Sequence, residues 1–172
     1  FDLQLIARAN ELCNELGLDV ISTAGTVAFV MECVEHDLVG PAELGGVDLR
    51  FGNGAALLEV LPLIAERRGV GELLALGSRR IAEQVGGDSI AFAMQVKGLE
   101  MAMHEPRGKV GVAIGYATNE AGADHLVGFH DGVFVNPESV SFKGATKIGI
   151  TEPAGPLDLG ATKVGNWYTS ER

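Results

Sequence analysis

Apolar residues recur at helical spacing through the first half of the chain, and each run ends at a stop that contains glycine. The first predicted helix runs from about Leu3 to Leu16, between an N-cap at Asp2 and Gly17, because only glycine enters the left-handed region at low cost. Its inward face carries Leu5, Ala9, Leu12 and Leu16. With hydrophobic residues at 47%, a chain patterned in this way can bury a helical core.

Three more helices are predicted before residue 87. Each follows a residue that can cap it or a glycine-containing loop, and the first of them is apolar nearly all round, which predicts a mostly buried helix. Their predicted limits are Val27–Leu38 with Thr26 as N-cap, Asn53 to about Arg68 with a kink at Pro62, and Gly71–Val85 with a stop at Gly86–Gly87.

The second half of the chain has weaker helical patterns. The stretch Ala91–Met101 is ambiguous between a short strand and an irregular segment, and His104–Gly108 is a predicted turn. A helix built of small residues is predicted from Val110 to Asn119. The segment Asp131–Pro156 is expected to hold at most short strands, and a last helix is predicted from about Leu157 to Ser170.

Together these elements predict a mainly α, multihelical protein with two helical lobes. The boundary between the lobes is expected between Gly86 and Gly108. Residues 1–90 are assigned to a first helical domain, and residues 91–172 to a linker and part of a second helical domain.

Charge and cysteine content exclude several function classes. The formal net charge of -10 argues against a nucleic-acid partner, which normally needs a basic surface. No apolar run reaches the roughly 18 residues that a spanning helix needs, so no membrane partner is expected. Cys13 and Cys33 form neither a CxxC pair nor a metal-ligand cluster, which predicts a reduced chain in the cytoplasm.

The stretch NELGLDVISTAG, residues 14–25, places a carboxylate directly after a predicted helix end and among small residues. One interpretation of Asp19 is a solvated carboxylate or a cap for the next turn. The other is an acceptor held in a glycine-containing turn, which suits a heterocycle rich in N–H donors. Both interpretations stay open from the residues alone.

The stretch ATNEAGADHLVGFHD, residues 117–131, is a second candidate site. It contains residue types that ligate metals: Asp124, His125, His130 and Asp131. The spacing HLVGFH is a weak metal signature, so a closed zinc site is not expected. A neutral histidine that donates a hydrogen bond or carries a proton is the alternative to a purely structural histidine.

The stretch GLEMAMHEPRG, residues 98–108, adds His104 and Arg107. Arg107 follows a proline in the predicted turn, where it pairs with Glu100 or Glu105, or else binds an anionic ligand group. His104 is a second histidine within reach of a pocket.

Several stretches together resemble one protein family. NELGLDVIST, LRFGN, ERRGVGELLALG, VKGLEM, EPRG and GYATNEAGADH occur in this order in the tungsten-containing aldehyde ferredoxin oxidoreductases. The resemblance extends from residue 1 to about residue 129. It implies two mostly helical domains that, with an N-terminal β domain, enclose tungsten or molybdenum held by the dithiolenes of two pterins, beside a [4Fe-4S] cluster.

The resemblance also assigns residues to the pterin. The family's motif Asp-x-x-Gly-Leu-Asp falls on Asn14, Gly17, Leu18 and Asp19, with Asn14 in place of the leading Asp. Asp19 is then expected to accept hydrogen bonds from pterin N–H groups, and Gly17 to turn the chain toward the cofactor. Small residues are expected to leave room for it, namely Ser22, Thr23 and Gly25.

The family's active-site histidine falls on His125, which implies hydrogen bonding to an oxygen of the substrate or the metal, and proton transfer. A tyrosine of some members falls on His104, at a position that can face the substrate pocket, and Glu105 replaces the Asp of the family's turn. Cys13 and Cys33 match none of the four cluster cysteines. We therefore expect an internal fragment that is inactive alone and has no protein ligand to the metal.

The resemblance implies an anaerobic oxidoreductase that oxidises aldehydes to carboxylic acids. Its electrons would pass through the cluster to ferredoxin or another electron-transfer subunit. One alternative is the tungsten subunit of an aryl-CoA reductase of the benzoyl-CoA type, with which His104 is compatible. The other alternative is a non-catalytic helical module. Formation of a homo-oligomer is possible in either case.

Overall fold

The fold was analysed in a computed structural model, which describes residues 2–171 of the 172-residue chain. It is mainly α, as the sequence predicted. The contacts divide it into two compact units, one that ends at Glu100 and one that begins at Met101. This division falls inside the interval Gly86–Gly108.

Helices α1 to α5 and one short hairpin form the first unit. The helices are α1 (Leu3–Leu16), α2 (Val20–Glu35), α3 (Gly54–Glu66), α4 (Val70–Leu74) and α5 (Ser78–Val85). A 3-10 turn (Ser89–Ala91) precedes the antiparallel strands β1 (Gln95–Val96) and β2 (Leu99–Glu100), in which Gln95 pairs with Glu100. The stretch that was ambiguous in sequence is therefore a hairpin, and it belongs to this unit.

The predicted limits of the first helix are confirmed. Asp2 accepts from the amides of Gln4 and Leu5 at 2.9 and 3.2 Å, and Gly17 ends the helix at a φ of 69°. The predicted start of the second helix at Val27 is wrong. Asp19 accepts from the Ser22 amide at 2.6 Å and begins α2 seven residues earlier, which leaves Thr26 buried inside the helix.

The third helix begins after Asn53, which caps the Ala56 amide at 3.3 Å, and continues through Pro62 as an α-helix. The kink expected there stays a prediction. The predicted fourth helix is wrong as a single element, because Gly77 at a φ of 80° separates α4 from α5. Gly71 lets α4 lie directly on α3, since a Cβ at this position would overlap the Leu63 carbonyl.

The core of the first unit lies between α1, α2, α3 and α5. Its most buried members include Val30, Cys33, Val60, Leu61 and Ile81. Among the described residues no single helix is both long and apolar enough to cross a membrane, although α1 and α2 taken together meet that test across a bend of 118°.

The second unit contains α6 (Val110–Thr118), α7 (Val140–Ala145) and α8 (Ala161–Glu171), with 3-10 turns at Asp131–Phe134 and Thr146–Ile148. The helix predicted from Val110 is confirmed to within one residue. The expectation of at most short strands over 131–156 is wrong, because Ser139 accepts from the Phe142 amide at 3.0 Å and begins a helix. The last helix begins four residues later than predicted.

A buried ion pair connects the helices of the second unit. The Lys163 ammonium on α8 lies 2.7 Å from Oδ1 of Asp131, and both side chains are almost completely buried. The two carboxylate oxygens also accept from the amides of Gly111 and Val112, at 2.9 and 3.2 Å, at the start of α6. The Lys163 ammonium also lies 5.2 Å from the centre of the Phe134 ring. One carboxylate therefore holds α6, α8 and the 3-10 turn together.

We predict that Asp131→Ala lowers the free energy of unfolding by roughly 3–5 kcal/mol, because it leaves a buried ammonium without its counter-charge. Urea titration followed by the fluorescence of Trp167, the single tryptophan, measures this in the second unit. Glu138→Ala is the control, since its pair with Lys143 at 2.9 Å is exposed and its loss should cost less than about 1 kcal/mol. Equal losses in the two variants would contradict the prediction.

The two cysteines lie in the core of the first unit, with 4% of Cys13 and none of Cys33 exposed. Burial raises the pKa of both thiols, with a smaller contribution from Asp19 at Cys13 and from Glu32 at Cys33. We predict that iodoacetamide alkylates the native chain at least about tenfold more slowly than the urea-unfolded chain, because the core must open first. Mass spectrometry of the quenched reaction measures both rates, and equal rates would show that the thiols are accessible.

Candidate functional site

The segment from Asn14 to Asp19 joins the end of α1 to the start of α2. The amide of Gly17 donates to the Asn14 carbonyl at 3.3 Å, and the amide of Leu18 donates to the Cys13 carbonyl at 2.8 Å. These two bonds close the C-terminus of α1, and the left-handed turn at Gly17 sends the chain directly into α2. Asp19 then acts as the N-cap of α2 through its Oδ1, so it is a cap for the next turn, which was one of its two interpretations.

This turn forms one wall of a cavity of about 490 Å³ in the first unit. Gly17, Leu18 and Asp19 line it, and the hydroxyl residues Ser22 and Thr23 on the first turns of α2 continue the same wall. No hydrogen bond within residues 2–171 engages Oδ2 of Asp19, which leaves an acceptor at the cavity.

Asn14 does not line the cavity. Its side-chain nitrogen donates to the Asn10 carbonyl at 2.9 Å, one turn back along α1. The structure therefore brings together three of the four residues assigned to the cofactor by resemblance.

A buried carboxylate also lines the cavity. Glu100, 6% exposed, accepts at Oε1 from the Thr26 hydroxyl at 3.2 Å and from the amide and hydroxyl of Ser78 at 2.8 and 2.9 Å. A Cβ at Gly25 would lie 3.1 Å from the Glu100 side chain. Gly25 therefore makes room for Glu100, and its expected role in making room for a cofactor stays a prediction.

Sequence reasoning missed Glu100 as a wall residue and considered it only as a partner of Arg107. Arg107 instead forms a bidentate pair with Glu105, with nitrogen–oxygen distances of 2.7 and 2.8 Å. The guanidinium hydrogen bond lowers the pKa of Glu105 to about 2. Of the two partners considered from sequence, Arg107 therefore takes Glu105, and binding of an anionic ligand group stays a prediction.

Three histidines meet in the second unit. The ring centres of His104 and His125 lie 4.9 Å apart, those of His104 and His130 lie 4.5 Å apart, and those of His125 and His130 lie 5.8 Å apart. One ring nitrogen from each histidine lies within 4.8 Å of the others, and all three side chains are half-buried. We refer to these residues as the histidine triad.

The loops that carry the triad are held by one short-range hydrogen bond and by the buried ion pair. Asp124 accepts from the Leu126 amide at 2.8 Å and turns the chain just after His125. His130 directly precedes Asp131, whose carboxylate is held in the buried ion pair. Of the two carboxylates considered as metal ligands from sequence, Asp124 is thus engaged in a local turn and Asp131 in long-range contacts with α6 and α8.

Electrostatics favour the neutral form of two triad members. Desolvation, followed by the charges of His130, Lys109 and His125, lowers the pKa of His104. Desolvation, followed by Lys109 and His125, also lowers the pKa of His130, although Asp131 acts in the opposite direction. Neutral imidazoles can act as proton acceptors, hydrogen-bond donors or metal ligands.

From the sequence, His104 was a candidate in one stretch, and His125 and His130 were candidates in another. That the three side chains lie together was not predicted. His104 precedes the other two by more than twenty residues, and helix α6 lies between them. The one sequence feature that could have indicated the cluster is the distribution of histidine, since three of the four histidines of the chain fall within residues 104–130.

Comparison with known proteins places these features in a family. The family model described as "Aldehyde ferredoxin oxidoreductase, domains 2 & 3" matches residues 1–170. The chain is 41% identical over 142 residues to the tungsten-containing aldehyde ferredoxin oxidoreductase of Pyrococcus furiosus, which covers 82% of this chain and 22% of that protein. It is 33% identical over 131 residues to the aliphatic sulfonate oxidoreductase, WOR-like subunit, of the same organism, covering 73% of this chain and 21% of that subunit.

A solved structure is also similar. The active-site complex BamBC of benzoyl coenzyme A reductase, in complex with 1,5-dienoyl-CoA, matches with a TM-score of 0.61 and 25% identity, covering 73% of this chain and 19% of that one. The chain thus spans about a fifth of the length of the relatives it matches. The match of the family model over nearly the whole chain, with the identity to the Pyrococcus enzyme, shows that this chain belongs to the aldehyde ferredoxin oxidoreductase family, within the region that the model describes as domains 2 and 3.

Proposed function

We propose that this chain supplies cofactor-holding and proton-handling residues to a tungsten (or molybdenum) bis-pterin enzyme that oxidises aldehydes to carboxylic acids. Electrons would leave through a [4Fe-4S] cluster, with cysteine ligands outside this chain, to ferredoxin or another electron-transfer subunit. The observation that carries the proposal is the cavity of about 490 Å³ that Gly17, Leu18 and Asp19 line, since these residues match the family's pterin-binding motif.

The donor and acceptor groups at the cavity fit a pterin. A pterin ring is flat and carries several N–H donors, so it requires acceptors and close access to the backbone. The cavity offers Oδ2 of Asp19, the hydroxyls of Ser22 and Thr23, and a glycine turn without a side chain at Gly17. Asn14 is not among the residues that line the cavity, and its side-chain nitrogen is bonded within α1, so the proposal rests on the other three motif residues.

When bound, the metal and its pterins supply the two-electron redox chemistry that protein side chains lack. The chain's own residues would bind and orient. Asp19 would fix the ring by accepting its N–H groups, and a hydrogen bond to a charged acceptor is worth roughly 1.5–3 kcal/mol. Leu18, half-buried on the same wall, would cover part of the ring face.

The second unit would supply proton transfer. His125 would donate a hydrogen bond to the substrate oxygen from one ring N–H, and it would give that proton to the oxygen and later take a proton back at the same nitrogen. His104, whose ring centre lies 4.9 Å from that of His125, would orient the substrate. The lowered pKa of His104 keeps it neutral near pH 7, so it can act as donor or acceptor.

A second candidate function is reduction of the aromatic ring of an aryl-CoA thioester. The similarity to the BamBC complex supports it, as does His104 at a position where some aldehyde-oxidising members have tyrosine. Assays of the intact protein with viologen dyes distinguish the two functions. Aldehyde-dependent dye reduction supports the first, and dye-dependent reduction of benzoyl-CoA supports the second. If a preparation that contains metal and cluster shows neither of these activities, that result would favour a non-catalytic helical module.

We predict that Asp19→Ser in the intact enzyme lowers pterin and tungsten content while α2 stays formed. Serine replaces the capping function but not the carboxylate, so the variant separates cofactor binding from helix stability. Asp2→Ala is the control, because it removes the cap of α1, away from the cavity residues, and should cost about 0.5–2 kcal/mol without loss of cofactor. Metal analysis and pterin fluorescence measure content, and full occupancy in Asp19→Ser would reject the assignment.

We predict that His125→Ala keeps metal and cluster but lowers turnover by roughly 10²–10⁴, the usual range for a lost acid–base group. His125→Asn should recover part of the activity if hydrogen bonding is the main role, and none if proton transfer is. His36→Ala is the matched control, since this fourth histidine lies in the first unit, stacked on Phe92. Turnover per bound tungsten is the readout, and an unchanged value in His125→Ala would remove the catalytic role.

A further inference from the structure

We propose that Glu100 is a further cofactor-binding residue of the first unit, and that its Oε2 accepts a hydrogen bond from a second N–H group of the pterin. The inference deepens the proposed function and rests on it, since it requires that the cavity of about 490 Å³ holds a pterin. Glu100 stands outside the contiguous motif Gly17, Leu18 and Asp19 and reaches the same cavity from the strand β2.

Glu100 and Asp19 lie at the two ends of one polar face of α2. The polar residues of this segment that line the cavity are Asp19, Ser22, Thr23 and Thr26, which have the spacing i, i+3, i+4 and i+7 of a single helix face. At 1.5 Å per residue, the ends of this face are about 10 Å apart along the helix. The Thr26 hydroxyl donates to Oε1 of Glu100 at 3.2 Å, so the face has a carboxylate at each end.

The protein holds one oxygen of the Glu100 carboxylate and leaves the other for a ligand. Oε1 accepts from the Thr26 hydroxyl and from the amide and hydroxyl of Ser78, the last two at 2.8 and 2.9 Å. No hydrogen bond within residues 2–171 engages Oε2. Burial of a carboxylate that is only 6% exposed is costly unless its oxygens find donors. The carboxylate therefore has a fixed position and one oxygen that can accept from a ligand in the cavity.

The polar groups of the cavity select a ligand that donates hydrogen bonds. Asp19 and Glu100 each offer one carboxylate oxygen, and the hydroxyl residues of α2 lie between them. A pterin has the matching chemistry, because its pyrimidine ring carries an amino group and a ring N–H, and its reduced pyrazine ring carries further N–H groups. Its donors are distributed along the fused rings, as the acceptors are distributed along α2.

Two other ligand classes fit the cavity less well. A single metal ion binds its oxygen ligands at roughly 2.3–2.6 Å, so it cannot join Asp19 and Glu100 across two helical turns. An anionic ligand would meet both carboxylates, whereas the one cation among the described lining residues is Arg67. A flat ring rich in N–H donors is the class that satisfies both carboxylates.

A purely structural role is the alternative, in which Glu100 only caps α5 through the Ser78 amide. A cap needs one acceptor, and Oε1 supplies it. Glutamine can keep this acceptor, but it replaces Oε2 by an N–H donor, which cannot accept from a pterin. Glu100→Gln therefore separates the two roles.

The test compares the intact wild-type protein with Glu100→Gln, both purified without oxygen. Pterin and tungsten content are measured first, and the rate of pterin release is then followed by fluorescence in urea below the unfolding transition. We expect lower content and release at least about tenfold faster in Glu100→Gln, since a hydrogen bond to a charged acceptor contributes this much to binding. Glu83→Gln is the matched control, because Glu83 lies on α5 outside the residues that line the cavity, and its release rate should equal that of the wild type.

Two further measurements make the result independent of the variant's folding. Hydrogen–deuterium exchange at the Ser78 amide shows whether Glu100→Gln still caps α5. Carbodiimide labelling needs no variant. In the wild type we expect Glu100 to react several-fold more slowly with the cofactor bound than in protein prepared without it, while the exposed Glu83 reacts equally in both forms.

Release from Glu100→Gln at the wild-type rate would overturn the inference, and so would equal labelling of Glu100 in the two forms. If the Ser78 amide loses its protection in Glu100→Gln, the labelling result alone decides. A wild-type protein that contains no pterin would instead reject the proposed function itself. None of these readouts uses turnover, so the two failures are distinguishable.

Discussion

A buried carboxylate at the N-terminus of a helix organises each of the two units. In the first unit, Glu100 accepts from the amide of Ser78, the first residue of α5, and from the Thr26 hydroxyl on α2. In the second, Asp131 accepts from two amides at the start of α6 and pairs with Lys163 on α8. Each charge is stabilised by several donors and by the positive end of a helix dipole, which offsets the cost of removing it from water.

These long-range caps explain the glycines near them. Gly77 and Gly25 lie against Glu100, and a Cβ at Gly111 would come within 2.9 Å of an Asp131 oxygen. Glycine inside a helix costs roughly 1 kcal/mol relative to alanine, which leaves Gly25 and Gly111 without a local justification. The carboxylates provide that justification, because a Cβ at Gly111 would crowd the oxygens of Asp131 and a Cβ at Gly25 would lie 3.1 Å from the Glu100 side chain.

The sequence alone predicted a helix end correctly where the residue that caps it lies within a few positions of that end. Asp2, Gly17 and Asn53 mark helix ends that the structure reproduces, since each bond spans two to four residues. The break at Gly77 was not predictable in this way, because the group that satisfies the Ser78 amide is 22 residues away. The start of α2 was missed although its cap is local, because Asp19 had two competing interpretations.

In the candidate site, too, the features formed by neighbouring residues were predicted and those formed by distant residues were missed. The turn at Gly17 to Asp19 was found from a contiguous motif, and it lines the cavity. The histidine triad was only half found, since its members come from both sides of α6 and the spacing HLVGFH alone is uninformative. Glu100 was missed as a wall residue, because the partners that hold its carboxylate, Thr26 and Ser78, lie 74 and 22 residues away in the chain.

The double position of Asp19 makes α2 a reporter of cavity occupancy. One carboxylate oxygen holds the Ser22 amide at the start of the helix, while the residue itself faces the cavity. A ligand that binds the second oxygen restricts the rotation of the carboxylate and so steadies the first helical turn. Hydrogen–deuterium exchange at the Ser22 amide should slow when the cavity fills, which gives a local measure of occupancy that is independent of colour, metal content and turnover.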